Sequence, residues 1–227
     1  MIAPLLFTAA IAVPPVAAPP VLGPPAILQR YAAALKALRE PAVLSFDYTL
    51  EQTGRRTLVQ THRVFRSGGN ERDETLVVDG RNSPRPIVRI FRGRRNRYTV
   101  AALAPRPEQY AFSYVGSRRD GHHVDYVFRL TPKKPAPFVE TQVTIDGVRF
   151  LPNDVTFATR EHDGSGTVLF GARGTWWVAT AATARARVAN VPSSENLTFR
   201  AYRFPPALPP STFSQPRPLP TGKASRK

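Results

Sequence analysis

The 227-residue chain has no cysteine. That absence excludes a disulfide scaffold, a thiol nucleophile, a thiolate metal site and a thioether lipid anchor on an N-terminal cysteine. Acid is scarce: 16 Asp and Glu stand against 32 Lys and Arg, a formal charge of +16. Such a surplus of base attracts an anionic neighbour without naming it. No apolar run is long and unbroken enough to read as a membrane-spanning helix. What is present suffices for folding: at 42% hydrophobic the chain is too apolar for full disorder, and its length allows one sizeable core or two small ones.

The ends differ from the middle. Residues 1–25 carry no charge and seven prolines. The run Ile2 to Ala12 is apolar and ends in small residues, like the hydrophobic part of a secretory signal with Ala10-Ile11-Ala12 as its cleavage signature, although a basic n-region is absent. Residues 13–25 read as an extended proline-rich linker. Residues 205–227 hold seven more prolines and four bases without an acid. They predict a flexible basic tail, with Leu208 or Phe213 packing back on the domain. The middle, 26–204, keeps +12 and is read as a single domain.

That domain opens with a helix. Leu28, Tyr31, Leu35 and Leu38 form one apolar stripe, four alanines favour helix, and Pro41 ends it. Strand patterns follow. In Val43 to Leu50, one face carries Leu44, Phe46, Tyr48 and Leu50, and the other Ser45, Asp47 and Thr49. Turns at Thr53-Gly54, 67–70 and Asp79-Gly80 separate the next strands, 57–66 and 72–78. Shorter strands are expected at 87–91 and 98–101, and a helical turn at 105–112. Beyond these come 124–130, then 138–145 and 148–151 across a two-residue Asp146-Gly147 hairpin, then 155–159, 167–170, 175–188 and 197–204. Ten or eleven strands with no helices between them exclude an α/β layout. The expected fold is mainly β (α+β): a strongly curved antiparallel sheet forming an incomplete barrel with the N-terminal helix packed against it.

The order of ILQRYAAALKAL, VLSFDYTLEQTG, THRVFRSG and ERDETLVVDG, with VTIDGVRFLPNDVTF, GTVLFGARGTWWVAT and ENLTFRAYRF downstream, resembles the periplasmic outer-membrane lipoprotein carrier and lipoprotein-sorting (LolA-like) proteins. The resemblance implies a concave apolar face that receives lipid chains, and a location in the periplasm or cell envelope, or secretion. It implies a cargo-release arginine, for which Arg63 and Arg66 are the positional candidates. None of these segments is a catalytic motif, and fold alone does not assign a job.

The residues themselves bear on that expectation. A curved sheet with one helix either closes on a dry core or leaves a groove. The expected groove lining is Phe46, Tyr48, Phe65, Tyr126, Phe128, Phe157, Phe170 and Trp177. Between Arg81 and Arg97 stand seven arginines and no acid; Arg89, Arg92, Arg94 and Arg95, with Arg63 and Arg66, are the expected anionic contacts, because a guanidinium fork suits phosphate. The plain alternative is a solvated loop in an arginine-rich sequence. His122-His123-x-Asp125 offers poor metal geometry, since adjacent strand residues point to opposite faces. Glu71, Asp73 and Glu74 are expected to pair with Arg66 and Arg72 rather than to act in hydrolysis. No cofactor, metal or catalytic residue is therefore expected.

Three functions remain open on the sequence: a non-enzymatic envelope carrier of a lipid or lipoprotein acyl chain, a sensor or accessory domain of the same fold acting through protein contacts, and, remotely, a small hydrolase. The expected partners are a lipid or lipoprotein acyl chain, an anionic membrane surface touched transiently, and an envelope partner protein. Nucleic acid is not expected, for want of any recognition signature, and the chain is expected to be a monomer.

Overall fold

The computed structural model describes residues 22–93, 98–121, 123–159 and 164–214. The leader, Arg94, Arg95, Arg97, His122 and the end of the basic tail lie outside the described residues. Helix α1, Pro24–Ala37, comes first. Four strands follow: β1 Val43–Thr53, β2 Leu58–Ser67, β3 Asn70–Val78 and β4 Arg81–Phe91. A short helix, α2 Val100–Leu103, then leads to β5 Tyr110–Asp120, β6 His123–Pro132, β7 Phe138–Asp146 and β8 Pro152–Thr159. The chain finishes with β9 Gly164–Arg173, β10 Trp176–Val188, β11 Val191–Arg203 and a 3-10 turn at Pro210–Phe213.

All eleven strands form one antiparallel sheet in the order β4-β3-β2-β1-β11-β10-β9-β8-β7-β6-β5. Each strand pairs with its neighbour in sequence except at two places. The last strand pairs with the first, Tyr48 opposite Phe199 and Leu50 opposite Leu197. The consecutive strands β4 and β5 are the two free edges. The sheet is thus a curved barrel left open between β4 and β5, and the segment bearing α2 joins those edges.

Helix α1 fills one half of the barrel. Pro24 and Pro25 occupy its first turn, where a missing N–H costs nothing. Its buried contacts are Ile27 and Tyr31, both 0% exposed, with Leu28, Leu35 and Leu38 packing beside them. Tyr31 donates its hydroxyl proton to Pro105 O at 2.9 Å and packs on Phe112. Around the helix lie Tyr126, Phe128, Leu130, Val143, Ile145, Val155, Val168 and Phe170, together with Val100 and Ala104 of the α2 segment.

Four local expectations are corrected. Residues 98–101 are not a strand: Thr99 caps α2, accepting from Ala102 N at 3.3 Å, and Ala101 and Ala102 favour helix. The helical turn expected at 105–112 is confined to 106–110, where the amides of Gln109 and Tyr110 donate to Arg106 O, and β5 starts at Tyr110, its alternation hidden by a bulge between Tyr114 and Gly116. Strand β4 begins at Arg81 rather than Ile87; its prolines, Pro84 and Pro86, are tolerated because it is an edge. The Asp146-Gly147 turn is not a two-residue hairpin. Asp146 Oδ1 accepts from the amides of Val148, at 3.0 Å, and Arg149, and Phe150 adopts φ 55°. Gly147 serves close approach instead: a Cβ there would lie 2.1 Å from Val124 O.

The tail meets the domain through its backbone rather than through the expected Leu208 or Phe213. Arg72, on the outer face of β3, donates to Thr212 O and Ser214 O, both at 3.0 Å.

At the barrel rim, Tyr110 donates its hydroxyl proton to Glu140 Oε2. Burial pushes the Glu140 carboxyl above its ordinary range. A carboxyl raised on folding favours the folded state while protonated, and that contribution is lost as pH rises through its folded value. Glu140→Gln keeps an acceptor for Tyr110 and removes the desolvated charge. Thermal melts should place the variant about 1–2 °C above wild type at pH 7.5 and level with it at pH 4; a variant less stable at pH 7.5 contradicts this.

Candidate ligand cavity

The other half of the barrel is not filled by the helix. The inner residues of β1 (Phe46, Tyr48, Leu50), β2 (Val64, Arg66), β3 (Glu71, Asp73), β4 (Arg89) and β11 (Glu195, Leu197, Phe199), with Tyr98, enclose a cavity of about 380 Å³. Its residue set follows from period-two alternation across five neighbouring strands. Ligand pockets begin at about 300 Å³, so the volume is adequate for part of a lipid-sized molecule. A larger concavity, about 620 Å³, lies at the tip of the β1–β2 turn between Gln52, Arg55, Arg56 and Ala189. It is built from turns rather than from the barrel's concave face.

The cavity has two kinds of wall. Phe46, Leu50, Val64, Leu197 and Phe199 are apolar, with the Phe46 and Phe199 rings edge to face at 5.8 Å. The β2–β3 wall is polar. His62, 5% exposed, stacks on Tyr48 with ring centroids 4.5 Å apart. Its Nδ1 lies 2.7 Å from Asp73 Oδ1, and the Tyr48 hydroxyl donates to Asp73 Oδ2 at 2.9 Å. Asp73 therefore anchors two buried rings with its two oxygens. Burial, and then the Asp73 charge, hold the Tyr48 phenol well above the usual tyrosine range, so it remains a donor.

Two arginines reach the cavity. Arg66 Nε donates to Glu71 Oε2 at 2.7 Å and its guanidinium stands 5.1 Å from the Phe46 ring centre. Arg89 is exposed, and its side chain makes no hydrogen bond or ion pair among the described residues. The expected Arg66–Glu71 and Arg72–Glu74 pairs are both present. Asp73, expected among the same pairs, instead serves Tyr48 and His62.

The sequence-predicted residues fall into separate places. Phe46 and Tyr48 line the cavity with Arg66 and Arg89. Tyr126, Phe128 and Phe170 sit in the helix-filled core, with Phe157 at its margin against Phe138. Trp177 borders a small space of about 30 Å³ beside Arg66 and Tyr202, and its Nε1 donates to Pro152 O at 2.8 Å. Phe65 and Arg63 lie on the face of β2 opposite Val64 and Arg66, where Arg63 pairs with Asp47 at 2.9 Å. Arg92 is exposed just past β4. His62 and Asp73 were missed, although His62, Val64 and Arg66 share one period-two face with the apolar residues.

The fold is an unclosed, curved antiparallel barrel around an N-terminal helix, and similar solved structures include three of low sequence identity. One is a LolA superfamily protein from Nitrosomonas europaea, 12% identical, covering 86% of this chain and 99% of that one with a TM-score of 0.47. Another is an outer membrane lipoprotein-sorting protein domain from Vibrio parahaemolyticus, 16% identical, covering 82% and 95% with a TM-score of 0.45. A DUF1329 family protein from Desulfovibrio piger is 10% identical, covering 83% and 96% with a TM-score of 0.47. No family model and no curated protein matches the sequence. Among the described residues, no helix is long and apolar enough to cross a membrane.

Proposed function

We propose that this protein is a non-enzymatic carrier of the cell envelope that holds an amphiphile, a lipid or the acyl chain of a lipoprotein, in the β1–β4/β11 cavity. The observation that carries the reading is the pairing of an apolar floor with the exposed guanidinium of Arg89, which has no partner among the described residues. The tail lies against Phe46, Leu50, Val64, Leu197 and Phe199, where each buried methylene contributes about 0.8 kcal/mol. The anionic head meets Arg89. Capture and handover need no covalent step. The apolar leader and the sequence resemblance support an envelope location.

Fluorescent fatty-acid titration tests this, with native mass spectrometry of protein purified from its own envelope. Affinity should rise roughly tenfold for every two methylenes until the cavity is full. Leu197→Trp, which occupies the floor, should abolish binding. Arg89→Glu should weaken a fatty acid about tenfold and leave a neutral monoacylglycerol unchanged. Absence of retained lipid together with no fatty-acid binding by wild type would end the proposal.

A further inference from the structure

A second cluster of side chains shares no residue with the cavity. His123 opens β6 and Asp125 follows two positions later, so both project from one face of the strand. Asp146, at the end of β7, stands in register opposite Asp125. Alternation thus unites His123 with Asp125, and the sheet supplies a third group from 21 positions downstream of Asp125.

His123 Nε2 lies 2.8 Å from Asp125 Oδ1 and 3.1 Å from Asp146 Oδ2. One ligand atom from each residue lies within 4.8 Å of the others. Donor atoms at adjacent corners around a divalent ion bound at roughly 2.1 Å are about 3 Å apart, so the spacing needs no backbone movement. Both carboxylates are already oriented. Asn153 Nδ2 donates to Asp125 Oδ1 at 2.8 Å. The amides of Val148 and Arg149 hold Asp146 Oδ1 and leave Oδ2 turned into the cluster. Such outer partners fix ligand geometry.

Asp146 is 4% exposed, and among the described residues its inward oxygen meets the half-exposed His123 ring. One Nε2–H shared between two carboxylates makes a weaker bond to each than it would to one. Arg118 on β5 stands in register opposite Asp125, a guanidinium that a bound ion must tolerate. A divalent ion would satisfy both inward oxygens, with His123 in the Nδ1–H tautomer and Nε2 free to coordinate.

We propose that His123, Asp125 and Asp146 form a three-ligand site for a divalent transition cation of the zinc or manganese class, completed by water. The ring nitrogen selects such ions over magnesium and calcium, which take all-oxygen shells. The site ties the start of β6 to the end of β7.

The test uses the full chain stripped with EDTA. Calorimetric titration with zinc(II) should give one ion per chain, and His123→Gln and Asp125→Asn should each weaken binding at least tenfold. Asp47→Asn, at an acid elsewhere on the sheet, should bind as wild type. Manganese(II) bound to wild type should show nitrogen modulation in its electron spin-echo spectrum, lost in His123→Gln. Because that signal is read on the wild-type protein, it does not depend on how a variant folds. No stoichiometric binding at sub-millimolar zinc, bound manganese without nitrogen modulation, or variants that bind like wild type would each overturn the site.

Discussion

Phe128→Ala should lower the free energy of unfolding by about 3–5 kcal/mol and the melting temperature by roughly 10 °C. Phe128 is 0% exposed and packs against Phe112 and Tyr114, with ring centroids 6.0 and 5.3 Å away. Through Phe112 it supports Tyr31, and so the seat of α1. The cost falls at the upper end of the range for large-to-small changes because the site cannot collapse. Strand β6 is held by ladders on both sides, to β5 and to β7, so the lining must stay in place around an empty volume. Denaturant titration gives the number. A loss below about 1 kcal/mol would show that this half of the barrel is not the packed core described above.

The second large effect is expected at Asp73. Asp73→Ala removes the acceptor of two donors, the half-buried Tyr48 hydroxyl and the ring N–H of buried His62. Leaving such donors unsatisfied costs about 1–3 kcal/mol each, so a loss of roughly 2–4 kcal/mol follows. The same change should also slacken the stack of Tyr48 on His62 that forms the polar wall. A double-mutant cycle with Tyr48→Phe isolates the shared term: Tyr48→Phe deletes one orphan in advance, so the two losses should fall short of additive by about 1–2 kcal/mol. Strict additivity would mean that the hydroxyl and the carboxylate do not hold one another in solution.

Much of this fold can be read from the chain because its strands alternate. Leu44, Phe46, Tyr48 and Leu50 announce β1, and the last three also name the cavity wall they form. The strands that escape reading are the two edges. Edge strands need not alternate, since neither face nor both hydrogen-bonding rows must be satisfied by protein. Thus β4 carries prolines and arginines, and β5 exposes Val115 and bulges at Gly116.

The cavity is less legible than the fold. An expectation of an apolar lining collects large rings, yet α1 decides which rings are covered and which face open space. Phe128 and Phe46 look alike in sequence and end in different halves of the barrel. The polar wall was hidden for another reason. His62 and Asp73 are compatible with an inner face only because they satisfy each other and Tyr48, a pairing that exists across strands and not along them. Asp125 and Asp146 likewise meet only across strands.

The place of β11 bears on how the chain assembles. Strands β1 to β4 form one run of hairpins and β5 to β10 another, each pairing only near neighbours in sequence. These runs can form early, since short loops close at little entropic cost. They become one sheet only when β11 enters between β1 and β10, joining residues such as Tyr48 and Phe199 that stand about 150 positions apart. Strand β11, the last of the described strands, is the one that closes the structure. A chain ended before Val191 would hold two separate ribbons, each with a bare inner margin, and such margins invite pairing with other chains. Folding is therefore committed late, at its C-terminal end.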